Sequence, residues 1–256
     1  MEQGQRLSSS FGAAATEYAE HRPDYAEEAV RWALSPAPGP RVLDLGAGTG
    51  KLTAALVAAG ADVVAVEPDP EMLAELRHGL PDVPALSGSA EVIPLPDASV
   101  DAVVAGHALH WFDMAVAGPE IARVLAPGGV LAGLWNVLDD RVAWVAGLAL
   151  AGGPAALGHR DLRSTWRSAT GDLHLAGPGH PVWFGSPEQA EFPHGKRGSA
   201  AALVAKIATH AGLLVMPEAE RAELLGRIRA DLASRPETGH GEFDVPMLTG
   251  VLRVRR

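Results

Sequence analysis

The chain has 256 residues, of which 47% are hydrophobic and 20% are charged, and its formal net charge is −10. This acidic balance disfavours nucleic acid as a partner, because the phosphate backbone would be repelled. The chain has no cysteine, which excludes disulfides and thiolate zinc sites, and no apolar run reaches the roughly 18 residues that cross a bilayer. The N-terminal residues also lack the pattern of a signal peptide. We therefore expect a cytoplasmic protein, a monomer or a homodimer, without nucleic-acid or membrane partners.

Two helical patterns open the chain, at residues 11–20 and 23–34, and the second has proline in its first turn. Apolar segments then alternate with helical ones up to residue 136. Strands that are apolar on both faces are expected where helices cover a parallel sheet on each side. The strands predicted in this part are residues 41–45, 62–66, 84–87, 100–105 and 130–136. The helices predicted between them are residues 51–59, 70–78 and 114–125.

The pattern becomes irregular after residue 136, which indicates a partly helical insertion over the active edge of the sheet. Regular patterns return as a strand at 188–192, helices at 200–210 and 217–233, and a strand at 242–255. The β-α-β-α order predicts an α/β fold with a doubly wound, mostly parallel sheet of seven strands. We expect one domain over residues 1–256, with N-terminal helices in residues 1–40 and the insertion in residues 137–187.

A glycine-rich turn, GAGTG at residues 46–50, follows the first predicted strand and opens a helix. A phosphate-binding loop, G-x-x-x-x-G-K-S/T, would need glycine at position 45 and a hydroxyl at position 52, and both are leucine. A dinucleotide fingerprint, G-x-G-x-x-G, would need its third glycine at the position of Lys51. Glu67 still ends the next strand, about 20 residues on, where a carboxylate can accept hydrogen bonds from ribose hydroxyls. The turn therefore indicates a nucleoside without a pyrophosphate.

Asp44 followed by Gly46-x-Gly48-x-Gly50 resembles the S-adenosylmethionine loop of class I methyltransferases, (V/I/L)-D-x-G-x-G-x-G. The resemblance implies a Rossmann-like fold that uses S-adenosylmethionine and releases S-adenosylhomocysteine. It implies that Asp44 lies near the methionine ammonium and Glu67 at the ribose, while the glycines let the backbone approach the ligand. The cofactor-binding residues implied in this part of the chain are Asp44, Gly46, Ala47, Gly48, Glu67, Pro68 and Met72.

The segment SGSAEVIPLPDASVD at residues 87–101 resembles the G-D-A-E-x-L-P-F-P-D-x-S-F-D segment of the same family. By that likeness the amide of Ala90 meets a ring nitrogen of adenine. Ser89 stands where the family has aspartate, and its hydroxyl accepts from the exocyclic amine less strongly than a carboxylate would. Glu91 is a candidate to share that task.

Two further segments are similar to the trans-aconitate methyltransferase-like branch of the methyltransferase type 11 family. They are Phe11-x6-Tyr18-x3-Arg22-Pro23-x-Tyr25 and the segment VVAGHALHWF at residues 103–112. The similarity implies that Tyr18 and Arg22 close over the cofactor carboxylate, although Arg22 could equally join the N-terminal helices. It also adds Gly106 and His107 to the cofactor-binding residues.

The predicted reaction is the transfer of a methyl group to a small-molecule acceptor by in-line displacement, which depends mainly on alignment of the reacting atoms. A general base helps only when the acceptor is protonated at neutral pH. His107 and His110 are the candidate catalytic residues, because the fourth strand leads to them, but His110 could instead pack or contact the cofactor. His210 is a candidate for acceptor specificity or for a helix cap. No metal site is expected, since the other histidines lack metal-ligand spacing.

Two other functions stay open at this point. A nicotinamide-dependent oxidoreductase would use the same kind of turn, but Lys51 disfavours it. A protein that keeps the cofactor pocket without transferring the methyl group, as a regulator or in a metabolite rearrangement, would use the same binding residues.

Overall fold

The structure is a computed structural model of the chain and describes residues 24–152, 166–167, 184–208, 213 and 216–256. Its strands are β1 (Arg41–Leu45), β2 (Asp62–Glu67), β3 (Ala85–Ser87), β4 (Val100–Gly106), β5 (Leu125–Leu138), β6 (Glu188–Ser199) and β7 (Glu242–Arg255). Over the described residues these seven strands form one sheet in the order β3-β2-β1-β4-β5-β7-β6. The pairs from β3 through β5 are all parallel. The predicted α/β sheet of seven strands is therefore confirmed.

Helices connect most of the parallel strands, as is typical of a doubly wound sheet. The helices are α1 (Glu27–Leu34), α2 (Lys51–Ala58), α3 (Pro70–Gly79), α4 (Met114–Val124), α5 (Ala143–Gly152), α6 (Ala200–Ala208) and α7 (Glu218–Ser234). Side chains cap three of them: Asp69 accepts from amides in the first turn of α3, Asp113 accepts from an amide in the first turn of α4, and the Ser199 hydroxyl accepts from the amide of Ala202 in α6. None of the helices in the described part of the chain is both long and apolar enough to cross a membrane.

The strand order reverses between β1 and β4, which lie side by side at the centre of the parallel part. Such a switch point leaves a crevice beyond the carboxyl ends of the strands, where doubly wound folds bind their ligands. The glycine-rich turn follows β1, Glu67 ends β2 and Gly106 ends β4. The topology thus directs three of the predicted site segments to one edge of the sheet.

The chain divides into two compact units. The first, called here the sheet unit, comprises Asp24–Asn136, Leu162–Phe192 and Thr249–Arg256. Its core packs Val30, Leu52, Leu56 and Val104, with side chains of α1 and α2 against the strands. The second, the helical unit, comprises Met1–Pro23, Val137–Asp161 and Pro193–Leu248, and its core includes Trp144, Leu148, Ile207, Ile228 and Met247. The side chains of the candidate site that the structure describes all belong to the sheet unit.

The helix predicted at residues 23–34 begins later than expected, at Glu27. Ala26 is extended, with φ −60° and ψ 127°, and its amide donates to the hydroxyl of Thr249 at 3.1 Å. A tertiary hydrogen bond thus satisfies the amide that a longer helix would have used. The prediction that proline lies in the first turn of this helix is wrong, and two glutamates occupy that turn instead.

Two strands are longer than the hydrophobic pattern predicted. β5 begins at Leu125, whereas the prediction began at residue 130, because Leu125 pairs with Val100 before a register shift across the Pro-Gly-Gly sequence. β6 continues to Ser199, whereas the prediction stopped at residue 192, so sheet pairing overrides the turn signals of Pro193 and Gly195. The helix predicted at 11–20 lies outside the described residues, and the domain bounds at 1–40 and 137–187 stay predictions.

Candidate functional site

The glycine-rich turn has a backbone that only glycine adopts readily. Gly46, Gly48 and Gly50 have φ of 71°, 58° and 87°, all in the left-handed region. A Cβ on Gly46 would lie 2.8 Å from the Cβ of Ala108, so that position also lacks space. The amides of Gly46 and Ala47 both donate to the carbonyl of Val66, which ties the turn to β2. The backbone conformation therefore explains glycine at all three positions of the motif, even without a ligand.

Asp44 is a fully buried acid in the strand that precedes the turn, with 0% of its surface exposed. Its Oδ2 accepts a hydrogen bond of 2.6 Å from the hydroxyl of Thr53, in the first turns of α2. Its Oδ1 has no hydrogen-bond partner among the described residues. Burial raises the pKa of this carboxyl to about 7. A buried oxygen without a donor is costly, so Asp44 suits a ligand that brings a donor or a positive charge.

Glu67 is the second buried acid of the site, 5% exposed at the end of β2. Its Oε2 accepts from the amide of Gly48 at 2.8 Å, and its Oε1 accepts from the amide of Asp69 at 2.9 Å. Burial raises the pKa of Glu67, while these two hydrogen bonds favour the charged form. The carboxylate is thus fixed against the turn, and each oxygen keeps a second lone pair for another donor.

Met72 lies against the turn on the side of Glu67. Met72 is 6% exposed, and its sulfur would lie 3.7 Å from a Cβ on Gly48. Pro68 follows Glu67 directly, between the end of β2 and the Asp69 cap of α3. The structure therefore brings Gly48, Glu67 and Met72 together, as the sequence predicted.

The predicted adenine residues lie in an irregular loop, called here the 88–98 loop. Ser89 forms an isolated antiparallel bridge with Val92, and Ala90 between them is 3% exposed. The Glu91 carboxylate accepts from the amide of Asp113 at 3.2 Å. The amide of Gly88 reaches the carbonyl of Glu67 at 3.4 Å, so the loop begins beside the ribose candidate.

Gly106 and His107 follow β4 on the other side of the turn. A Cβ on Gly106 would lie 2.5 Å from the hydroxyl of Tyr25, so a larger residue does not fit there. His107 has φ 53°, a left-handed conformation that is uncommon for a side chain of this kind. Its amide donates to the carbonyl of Leu134 at 2.9 Å. Strain of this type concentrates at functional sites.

The ring of His107 is held by the backbone of Asn136. Its Nε2 lies 2.8 Å from the amide nitrogen of Asn136 and 3.1 Å from the carbonyl oxygen of the same residue. Because the amide hydrogen points at Nε2, this nitrogen accepts, and the neutral ring then carries its proton on Nδ1. The lone pair that a general base would use on Nε2 is thus engaged.

Asn136 is itself held by a buried polar network. Its side-chain amide donates to the carbonyl of Asp24 at 2.9 Å, and its Oδ1 accepts from the hydroxyl of Thr249 at 3.2 Å. The same hydroxyl accepts from the amide of Ala26. The network therefore connects the strand end that orients His107 with the segment that leads into α1.

His110 lies in the short 3₁₀ turn Leu109–Trp111. Its Nδ1 accepts from the indole N–H of Trp135 at 3.4 Å, and its ring centroid lies 4.8 Å from that of Trp111. The imidazole is therefore both stacked and hydrogen-bonded. In each histidine one ring nitrogen already accepts a hydrogen bond from the protein. These contacts favour a role in positioning a bound molecule over a role as a general base.

Some predicted residues cannot be placed, and others were not predicted. Tyr18, Arg22 and His210 lie outside the described residues. Sequence reasoning missed Thr49, whose buried hydroxyl has no partner in the described part of the chain, and Thr53, which bonds Asp44. It also missed the role of Asn136. Two signals could have identified them: hydroxyls within one helical turn of the glycine motif, and a polar residue ending an apolar strand.

Comparisons with known proteins point to methyltransferases. Residues 43–133 match a family model described as a methyltransferase domain. An uncharacterized methyltransferase of Mycobacterium tuberculosis is 58% identical over 139 residues, which are 54% of this chain and 57% of the relative. An uncharacterized methyltransferase of Schizosaccharomyces pombe is 40% identical over 143 residues, again 54% and 57% of the two chains. The matches thus span a little over half the length of these relatives.

The fold has a counterpart among solved structures. A candidate type II methyltransferase from Anaeromyxobacter dehalogenans superposes with a TM-score of 0.63 at 25% identity, covering 92% of this chain and 97% of the other. The matched family segment, residues 43–133, runs from β1 through most of β5 and contains Asp44, the glycine turn, Glu67 and the 88–98 loop. These residues are therefore similar to a methyltransferase domain, on a sheet with the class I methyltransferase fold.

Proposed function

We propose that this protein transfers a methyl group from S-adenosylmethionine to a small-molecule acceptor. The observation that carries the proposal is the pair of buried acids, Asp44 and Glu67, on either side of a backbone turn at the switch point of the sheet. A pyrophosphate would be repelled by two carboxylates, whereas a ligand with an ammonium, a sulfonium and ribose hydroxyls suits them.

The residues present fit this cofactor. The unpartnered Oδ1 of Asp44 can accept from an ammonium group, and the unpartnered hydroxyl of Thr49 can donate to a carboxylate. The second lone pairs of Glu67 can accept from the two ribose hydroxyls. The absence of a side chain at Gly46 and Gly48 lets the backbone come close to the ligand. Ser89, Ala90 and Glu91 are proposed for the adenine, and Tyr18 and Arg22 for the cofactor carboxylate.

S-adenosylmethionine supplies an activated methyl group on a positively charged sulfur, so the protein mainly has to align the acceptor and exclude water. We assign His107 and His110 to that alignment, since each ring accepts a hydrogen bond from the protein. An acceptor that is already nucleophilic at neutral pH needs no base. The acidic composition supports a small molecule over a nucleic acid. A cytoplasmic location, and a monomeric or homodimeric state, complete the proposal.

Ligand binding tests the cofactor assignment directly. Thermal unfolding should be measured with S-adenosylmethionine, S-adenosylhomocysteine, NADH and ATP, each at a large excess. Stabilisation by the first two alone is expected, since a ligand present at 100 times its Kd adds about 2.7 kcal/mol. The variant Asp44→Asn should lose most of this shift, and Glu28→Gln, at an exposed position of α1, is the matched control. Stabilisation by NADH alone would contradict the proposal.

Methyl transfer needs a separate test, because a protein that only binds the cofactor would pass the first one. The protein should be incubated with S-adenosylmethionine and pools of small carboxylic acids, phenols and amines, and the S-adenosylhomocysteine formed should be measured. Formation that depends on one pool and is lost in Asp44→Asn is expected. Cofactor binding without turnover in any pool, or in extracts of small metabolites, would favour the non-methylating alternative.

A further inference from the structure

The last turns of α4 carry an ion pair that points at the backbone of the 88–98 loop. The Arg123 guanidinium donates to both oxygens of Glu120, at 2.8 and 2.9 Å. The same guanidinium donates to the carbonyls of Leu95, at 2.8 Å, and Ile93, at 3.0 Å. It also contacts Asp97 at 2.8 Å. One side chain therefore binds three successive parts of the loop.

Glu120 also binds the backbone of the loop. Its Oε2 accepts from the amide of Ile93 at 3.1 Å, so the pair binds both the N–H and the carbonyl of that residue. The backbone of Arg123 joins in, since its carbonyl accepts from the amide of Ala98 at 2.9 Å. Ala98 has φ 50°, an uncommon conformation that this contact helps to hold.

The start of the same helix holds the start of the same loop. The amide of Asp113, the N-cap of α4, donates to the carboxylate of Glu91. The loop has little regular structure of its own, beyond the Ser89–Val92 bridge. Its conformation between residues 91 and 98 is therefore set largely by contacts with α4. The proposed adenine residues are Ser89, Ala90 and Glu91. They lie just before Ile93, the first loop residue that Glu120 and Arg123 bind.

We propose that Glu120 and Arg123 are positioning residues for adenine, acting through the backbone of Ile93 and Leu95. The inference rests on the proposed function, because it assigns a task within the same cofactor site. Neither side chain needs to touch the nucleoside. The pair fixes the loop so that the amide of Ala90 and the oxygens of Ser89 and Glu91 keep the spacing that adenine requires, in the way that outer contacts hold ligating groups elsewhere.

The competing explanation is that the pair only stabilises the fold. Ion pairs of partly exposed side chains often contribute little to stability, and this guanidinium also donates to two loop carbonyls. A merely stabilising pair, when broken, would lower the unfolding temperature but leave the ligand preference of the folded molecules unchanged. A positioning pair would change the preference for the nucleobase itself.

The test compares two ligands that differ only at the base. Binding of S-adenosylhomocysteine and of S-inosylhomocysteine, whose base has an oxygen in place of the exocyclic amine, should be measured by calorimetry on folded protein. We expect Arg123→Gln to weaken S-adenosylhomocysteine binding about tenfold, as the loss of one hydrogen bond to a charged group would. In this variant the ratio of the affinity for S-adenosylhomocysteine to that for S-inosylhomocysteine should fall towards one. Arg123→Lys should recover part of the wild-type ratio.

The matched control breaks an ion pair that joins two strands of the sheet. Arg41 donates to both oxygens of Asp101, at 2.9 and 2.8 Å, and joins β1 to β4. Arg41→Gln should lower the unfolding temperature while keeping the base preference of the wild-type protein. If Arg123→Gln does not fold, Glu120→Gln provides the same comparison with a smaller change.

The outcomes separate the two proposals. Wild-type binding of S-adenosylhomocysteine with a base preference that survives in both Arg123→Gln and Glu120→Gln would overturn the positioning role and leave the cofactor assignment intact. A wild-type protein that binds neither ligand would overturn the cofactor assignment, and the positioning role with it.

Discussion

The amide of Gly48 donates a hydrogen bond of 2.8 Å to Oε2 of Glu67. The bond joins the middle of the glycine turn to the end of the neighbouring strand, so the two parts of the proposed nucleoside site are fixed relative to each other before any ligand binds. Because the donor is a backbone amide in a left-handed conformation, its direction is set by the turn and not by a rotamer. Preorganisation of this kind lowers the cost of binding.

The hydroxyl of Thr53 should stabilise the charged form of Asp44. Thr53→Val keeps the shape of the side chain but removes the 2.6 Å hydrogen bond to the carboxylate. We expect the free energy of unfolding at pH 8 to fall by about 1–3 kcal/mol, and by less at pH 5, where Asp44 is protonated. Thr53→Ser, which keeps the hydroxyl, is the control. Equal losses at the two pH values would contradict this account of the pair.

Asp44 should make cofactor binding depend on pH. Its pKa in the folded protein is raised from 3.8 to about 7, and only the charged form attracts an ammonium. The affinity for S-adenosylhomocysteine should therefore fall by about fivefold from pH 7 to pH 6, and stay nearly constant above pH 8. Calorimetry over this range measures it. Asp44→Asn should bind more weakly at pH 8 and show a flatter profile; a flat wild-type profile would exclude this role.

The same carboxyl should affect the stability of the free protein in the opposite sense. Its pKa in the folded state lies above its ordinary value, so the folded state binds more protons between about pH 4 and pH 7. The stability that this group contributes is present below its unfolded pKa and is lost as the pH rises through its folded pKa. Denaturation of the wild-type protein and of Asp44→Asn at several pH values should show a shallower dependence in the variant.

The glycines of the turn should differ in their tolerance of alanine. Gly48→Ala introduces a left-handed alanine, at a cost of about 1–2 kcal/mol, although the space beside it is adequate. Gly46→Ala should cost more, because its new Cβ would also meet Ala108 at 2.8 Å. Gly79→Ala, in α3 with open space around it, should be neutral or stabilising. Denaturant unfolding gives all three values, and equal effects at positions 46 and 79 would contradict the argument.

His107 should exist as the Nδ1–H tautomer when neutral. The Asn136 amide points at Nε2, and nitrogen NMR of labelled protein above pH 8 distinguishes the two ring nitrogens. His78, exposed on α3, provides a reference ring in the same spectrum. A protonated Nε2 that donates instead to the Asn136 carbonyl, 3.1 Å away, would contradict the assignment and return His107 to the candidates for a general base.

Local sequence signals predicted the elements that carry the site. β1 and β7 have the predicted bounds, and α2 and α3 differ from prediction by one residue each. These segments combine strong apolar periodicity with clear turn residues. Asp44 and Glu67 were identified because each lies at a fixed distance from the glycine turn. Their burial and their neighbours follow from that placement.

Contacts between distant residues were not predictable in the same way. The bond from Ala26 to Thr249 joins residues 223 apart, and it satisfies the amide that directly precedes α1. The contacts of Arg123 with the 88–98 loop span up to 30 residues, and no periodicity encodes them. The prolines and glycines in β5 and β6 indicated turns, but pairing in the sheet overrides local preference there.

The composition of the sheet unit has a consequence for the order of events during synthesis. Residues 249–256 belong to the same unit as residues 24–136, and Thr249 closes the network around Asn136. Ribosomes deliver about 5–20 residues each second, so more than a hundred residues must emerge before this late partner arrives. Until then the nascent unit lacks the polar contacts that Thr249 makes with Asn136 and Ala26, so the network beside His107 is completed only near the end of translation.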